Sequence, residues 1–235
     1  MVTSGRHRRS IRGLGNVVIA LLIAQVLALL FGAVAILREM SLLQRIIDGS
    51  QVTLAEATAS DDRVAASARL WLVVLVVTVV VWLIWQHRGH ANLQAVGVTE
   101  LEYSPGWAVG WWLIPIANLW KPFQVNRELW KASSGVNDWR SLPTSPLLGW
   151  WWASWISASV LGRIAAGARR SAETPMEIRS ADIIDLLSTG VVVASALLAI
   201  MVVRSVLARQ EHLEVAVPHV PTPPAWQPPR PDVSA

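Results

Sequence analysis

Apolar positions along the chain gather into four long runs, at about 15–37, 69–86, 147–168 and 183–203, separated by shorter polar stretches. A helix needs about 20 predominantly apolar residues to cross the hydrocarbon core. The pattern therefore predicts an all-α integral membrane protein with four transmembrane helices. Only Asn16 and Gln25 interrupt the first run, and Ala33-Val34-Ala35 near its end has the small-residue spacing of a signal cleavage site. A signal's apolar region is about 7–15 residues long, shorter than this run, so an uncleaved anchor is expected.

The polar stretches carry the stop and start signals. Leu42, Leu43, Ile46 and Ile47 continue helical spacing past the first run until Asp48-Gly49, where a glycine can end a helix. Ser60-Asp61-Asp62 then has the chemistry of an N-cap with acidic first-turn residues for the second span. Trp71, Trp82 and Trp85 at the ends of that span, and Trp150-Trp151-Trp152 with Trp155 at the start of the third, fit interfacial belts. Residues 87–102 read as a polar linker, 132–146 as a loop and 169–180 as a short charged turn. Outside the membrane domain (15–203) lie a basic head, 1–14, and a tail, 204–235. That tail has seven prolines within 218–235 and is expected to be extended and disordered, with PxxP-like runs that favour polyproline II.

The stretch 103–131 has a different grammar. Ser104-Pro105 is a helix start, with serine as N-cap and proline at the first helical position. The helix can run only to about Ile114, because Pro115 disfavours helical backbone before it. Ten residues at 1.5 Å rise cover about 15 Å, half the hydrocarbon core. This Trp-rich half-helix is therefore expected not to span but to enter and return, or to lie against the other helices. After Lys121-Pro122, residues 123–133 form a second short helix. Phe123, Val125, Leu129 and Trp130 share one arc, with Asn126 inside it. Gln124, Arg127, Glu128 and Lys131 lie opposite, the pattern of an interfacial amphipathic helix between spans 2 and 3.

This block resembles a family of bacterial, mostly actinobacterial, multi-pass membrane proteins known as a domain of unknown function of the 4328 type. The likeness rests on Ser104-Pro105-Gly106-Trp107-Ala108, Gly110-Trp111-Trp112, Pro115, Asn118, Lys121-Pro122 and Arg127-Glu128-Leu129-Trp130. It covers the second half of the first helix through the fourth span and leaves the tail outside. The resemblance implies about four membrane helices and supplies no activity.

Composition narrows the chemistry. The 235 residues are 53% hydrophobic and 15% charged, against about 25% charged in soluble domains. The net charge of +4 comes from eighteen arginines and two lysines scattered at the ends of apolar runs. That is a membrane-flank pattern and not a nucleic-acid groove. With the N-terminus inside, the inner segments hold twelve Lys and Arg against eight outside. Both termini are therefore expected in the cytoplasm, with the cell membrane as location. Without cysteine there is no disulfide framework and no thiol nucleophile. His87 and His90 lack a suitably spaced acidic or cysteine partner, so no metal site is expected, and no motif implies a cofactor.

Several polar groups lie where polarity is costly. Asn118 and Asn126 sit in apolar surroundings; Asn118 would either cap the helix broken at Pro115 or contact a ligand or ion. Arg163 and Asp185 fall within facing ends of the third and fourth spans and are expected to pair, or to snorkel, with a transport role as the rival. Small residues recur every fourth position at Ala20, Ala24, Ala28, Gly32 and at Ser154, Ala158, Gly162, Ala166, which favours close helix packing and would allow an oligomer. No catalytic constellation is found. The expected role is a non-enzymatic adaptor or assembly component that works in the lipid bilayer, with a protein partner at its cytoplasmic face or Pro-rich tail. The alternative is a small transporter or channel using the broken helix around Pro115 and Asn118.

Overall fold

The computed structural model describes residues 11–216; the basic head up to Ser10 and the Pro-rich part of the tail lie outside the described residues. Among the described residues every regular element is helical: α1 (Arg12–Ile47), α2 (Leu54–Ala95), α3 (Pro105–Gly110), α4 (Lys121–Ala132), α5 (Pro146–Ser171) and α6 (Pro175–Ala216), with 3-10 turns at Ala117–Leu119 and Trp139–Ser141. Helix α1 lies between α2 and α6, and α6 lies between α1 and α5. Rings of Trp82 on α2 and Trp151 on α5 meet 5.6 Å apart. That contact closes the group of four at the end that holds the start of α1, which we call the head end.

Among the described residues three helices are long and apolar enough to cross a membrane: α1, α2 and α6. Helix α5 is not one of them, because Trp150, Trp151, Trp152, Trp155, three serines and Arg163 interrupt its aliphatic residues. Outward positions of the apolar runs carry large apolar side chains, including Leu27, Leu30 and Phe31 on α1, Val73 and Val80 on α2, and Leu197 and Met201 on α6. These are lipid-facing in character.

The helices are much longer than the runs that seeded them. Helix α2 has 42 residues, about 63 Å at 1.5 Å per residue, against a hydrocarbon core of about 30 Å. Its start is not Ser60, which lies inside the helix and is 2% exposed. Thr53 is the N-cap, and with Glu56 it forms a reciprocal capping box that satisfies two end N–H groups. The stop at Asp48-Gly49 is as expected: Gly49 has φ +79, and the N–H groups of Gly49 and Ser50 bond back to Ile46 and Arg45.

At the head end the expected linker 87–102 is helical as far as Ala95, and the expected tail remains helical to Ala216. Trp82, Trp85, Gln86, Gly89, His90 and Leu93 form one buried stripe along α2, and Val203, Val206, Leu207, Gln210 and Leu213 form another on α6. Helix α4 packs between them, and Gly89 lets it approach: a Cβ there would lie 3.0 Å from Leu129. The result is a helical cap continuous with the bundle core. The charged turn between α5 and α6 shrinks to residues 172–174, where Thr174 and Glu177 cap α6.

Candidate functional site

The central stretch builds its site from short elements. Ser104 Oγ accepts the Trp107 N–H at 3.3 Å, and Pro105 occupies the first helical position, as the sequence requires. Helix α3 ends at Gly110, four residues before the expected limit. The chain then continues in single turns, with the N–H groups of Trp112, Leu113, Leu119 and Trp120 each bonding three residues back. Asn118 does not cap with its side chain. Its main-chain N–H takes the Ile114 carbonyl at 2.8 Å, and Oδ1 is left buried without a partner.

Tryptophans bind this broken segment to the bundle. The Trp112 ring meets those of Trp82, Trp152 and Trp155 at 5.9–6.3 Å. Its Nε1 donates to Gln86 Oε1 at 2.6 Å, and Trp152 Nε1 donates to the Leu119 carbonyl at 3.1 Å. Aromatic pairs at such separations add to what their burial alone contributes. Trp107 meets Trp111 in a tilted contact at 4.9 Å, and Gly110 leaves room for the Trp107 ring. Gly106 and Pro115 contribute no polar contact, and the surrounding Leu113 and Ile116 are among the most exposed apolar side chains, at 74% and 72%.

Helix α4 departs from the amphipathic expectation. Glu128, placed by the helical wheel on the polar face, is buried because the strap of residues 97–104 covers that face. Its carboxylate accepts the N–H groups of Glu102 at 2.6 Å and Tyr103 at 3.1 Å. Burial raises the Glu128 pKa above its ordinary value, opposed by these two donors. The strap is held from outside by Trp139 Nε1 on the Thr99 carbonyl and by Arg140, which bonds the Glu100 carbonyl and pairs with its carboxylate at 3.0 Å. Glu100 adopts φ +64, a left-handed backbone that costs a non-glycine residue energy and needs such anchoring.

On the bundle side of Glu128 lies His90, fully buried, with Nε2 3.7 Å from Glu128 Oε1. Nδ1 is 3.1 Å from the Gln86 carbonyl, which can only accept, so Nδ1 carries a proton. In the neutral ring Nε2 is then the bare nitrogen, and at 3.7 Å it faces the Glu128 carboxyl without a hydrogen bond. His87 is exposed on the other side of the helix and does not join it.

Around this couple, Tyr103 donates its hydroxyl to Gln124 Oε1 at 2.9 Å. Lys121 Nζ reaches the same hydroxyl at 3.4 Å while sitting 5.3 Å from the Tyr103 ring and 5.2 Å from that of Trp111. Burial, and then Glu102 and Glu128, hold the phenol well above its usual pKa. Asn126 Nδ2 donates to the Pro122 carbonyl at 2.8 Å. Arg127 lies over Phe123, and Trp130 Nε1 donates to Ser205 on α6 while Arg209 covers its ring. Gln210 of α6 ties the Gly89 carbonyl to Ser133. Gln86 Nε2, His90 Nε2 and Asn126 Oδ1 are buried without partners. Chemically the arrangement buries a carboxyl group that anchors a strap.

The expected pair of Arg163 and Asp185 is not formed. Arg163 is exposed, and Arg169 instead takes Glu39 at 2.6 Å and Asp182 at 2.5 Å at the end opposite the head. Pairing was predicted one and a half turns too deep, where Arg163 faces outward. Gln86, His90, Tyr103, Glu39, Arg169 and Asp182 were not expected at any site. The stripe Trp82-Gln86-His90, at intervals of four through the presumed linker, was the visible signal for the first two.

These features define an all-helical membrane-class protein with a broken Trp-rich segment docked under a helical cap. The chain belongs to the family described as Domain of unknown function (DUF4328), whose model matches residues 48–208. The match runs from the end of α1 through most of α6, so it leaves out the helix that the resemblance was expected to include in part. No curated protein matches the chain, and neither does any solved structure.

Proposed function

We propose that the protein is a non-enzymatic membrane adaptor or assembly component whose cap is a fixed platform. The supporting observation is the joined set of indoles, Trp82, Trp112, Trp151, Trp152 and Trp155, that fills the bundle beside the Pro115 break. Tightly packed aromatic rings suit a rigid support better than a gate. In this reading α5 is the fourth span, the lipid-facing Leu113 and Ile116 place the broken segment in the bilayer, and the head end with both termini is cytoplasmic. The partner would engage the cap and the Pro-rich tail.

A second reading, a small transporter or channel, draws on Asn118 Oδ1, buried without a partner next to the break. One experiment separates the two: extraction in native lipid particles followed by mass spectrometry of what co-purifies. A stoichiometric protein partner lost on deleting residues 218–235 supports the adaptor. A small molecule retained by the wild type and lost in Asn118→Leu supports the carrier and removes the adaptor reading.

A further inference from the structure

The head end carries an open groove of about 400 Å³ between α1 and α6, away from the strap and its buried couple. Two contacts set the register of these antiparallel helices: Arg12 pairs with Glu211 at 3.1 Å, and Gly15 abuts Leu207 so closely that a Cβ would clash at 2.7 Å. In that register Arg204 stands level with Ile19 and Ala20, about two turns along α1 from Arg12. It is exposed, it lines the groove, and among the described residues no carboxylate lies within ion-pair distance of it. Asn16, exposed one turn from Arg12, adds an amide to the same wall.

The groove is therefore graded along its length. Its mouth holds Arg12 and Glu211, its middle Asn16 and Arg204, and its inner end Ile19, Ala20 and Ile23, which belong to the apolar run of α1. Among the described residues that line the groove, two guanidiniums stand against one carboxylate, so the polar section is cationic. An exposed arginine at the last turn of a hydrocarbon-spanning segment sits at headgroup level, where an anionic lipid is favourable for each such cation. A phosphodiester supplies the anion, and its acyl chain matches the Ile19 and Ile23 end, which opens onto the lipid-facing surface.

We propose that this groove is a binding site for one anionic phospholipid. Arg204 and Asn16 hold the phosphodiester, Arg12 lies at the headgroup, and one acyl chain starts along Ile19 and Ile23. Only the glycerophosphate end and the first methylenes need fit the groove; the rest of the lipid stays in the bilayer.

The test uses the full chain in detergent, with phosphatidylglycerol and phosphatidylcholine of identical acyl chains added separately and retention read by native mass spectrometry. One phosphatidylglycerol per chain should be retained, with phosphatidylcholine about 5-fold weaker, because it keeps the phosphodiester but sets a quaternary ammonium against the Arg12 guanidinium where phosphatidylglycerol presents uncharged hydroxyls. Arg204→Gln should lower phosphatidylglycerol retention about 10-fold, and Ile19→Trp should lower it by filling the apolar end while keeping the charges. Arg63→Gln, at the opposite end of the bundle, should change nothing. Equal retention of the two lipids, or undiminished phosphatidylglycerol on Arg204→Gln, overturns the site. So does binding that appears only after residues 1–10 are deleted, since the chain's own head would then be the occupant.

Discussion

Glu39 and Arg169 stand 130 residues apart in the chain and meet at 2.6 Å between Oε1 and Nη2, tying α1 to α5 at the end opposite the cap. The same guanidinium bonds Asp182 of α6, so one cation serves two carboxylates whose side chains are each only 5% exposed. Removing the arginine leaves two buried like charges together, a loss of about 3 kcal/mol, the low end for a broken buried pair because Arg169 is itself part-exposed. Removing Glu39's charge leaves a one-to-one pair with Asp182. Arg169→Gln should therefore lower the thermal midpoint in detergent well below wild type, Glu39→Gln should lower it much less, and Arg163→Gln should leave it unchanged. Comparable losses for Arg163→Gln and Arg169→Gln would contradict this assignment.

Glu128 should give the cap a pH dependence of defined sign. Burial raises its pKa in the folded chain, so folding favours the protonated acid. That contribution is fully present below the ordinary carboxylate range and is lost as pH rises through the raised folded value. The stability difference between wild type and Glu128→Gln, which cannot titrate, should thus shift in favour of wild type as pH falls from about 8 to about 4. Glu128→Leu should be worse than Glu128→Gln at every pH. It strands the N–H groups of Glu102 and Tyr103, at roughly 1–3 kcal/mol for each buried group left unpaired. A wild-type minus Gln difference that stays flat across the range would rule out a burial-raised carboxyl at Glu128.

Much of this architecture is legible in the sequence, and its failures share a cause. Apolar run length predicted four spans, of which three fall on helices long and apolar enough to cross a membrane, and local rules found the Ser104-Pro105 start and the Asp48-Gly49 stop. Local rules also misplaced the start of α2, since Ser60-Asp61-Asp62 resembles a cap while the Thr53/Glu56 box lies seven residues earlier. The greater loss was the cap. Residues 87–95 and 204–216 look like a linker and a tail because polarity was read as solvent exposure. His90, Asn92 and Gln210 are buried because α4 and the strap cover them. Glu128 was misassigned for the same reason: a helical wheel reports which residues share a face, and the covering strap comes from a segment 25 residues away.

Trp112 provides a test of whether the broken segment is welded or gated. Its indole N–H is the partner of Gln86 Oε1, and the Gln86 amide nitrogen is already unpartnered. Trp112→Phe keeps an aromatic ring but leaves Gln86 with no partner for either end of its amide, a cost of roughly 1–3 kcal/mol. Trp107→Phe, at a ring 54% exposed, should cost less than about 0.5 kcal/mol. Cysteine placed at Asn118 should react with maleimide faster in the Trp112→Phe background, as the segment loosens. An unchanged labelling rate together with unchanged stability would remove Trp112 from its anchoring role.

Whether α5 crosses the bilayer is decided by its two ends. Its tryptophans and Arg163 keep it from the apolar class of α1, α2 and α6, yet it packs along α6 for most of its length, with Ala158 buried and Gly162 close to Ser188. Partners in such a pair face the same solvent, and indoles are favoured at an interface. Because the chain has no cysteine, single replacements report cleanly. Ser141, before α5, and Glu173, after it, are both exposed. With the head end cytoplasmic, an impermeant maleimide added to intact cells should label Glu173→Cys and spare Ser141→Cys, and cell lysis should expose both. Labelling of Ser141→Cys alone would invert the orientation while keeping the crossing. Labelling of both, or of neither before lysis, would put the two ends of α5 on one side and reduce the membrane domain to three spans.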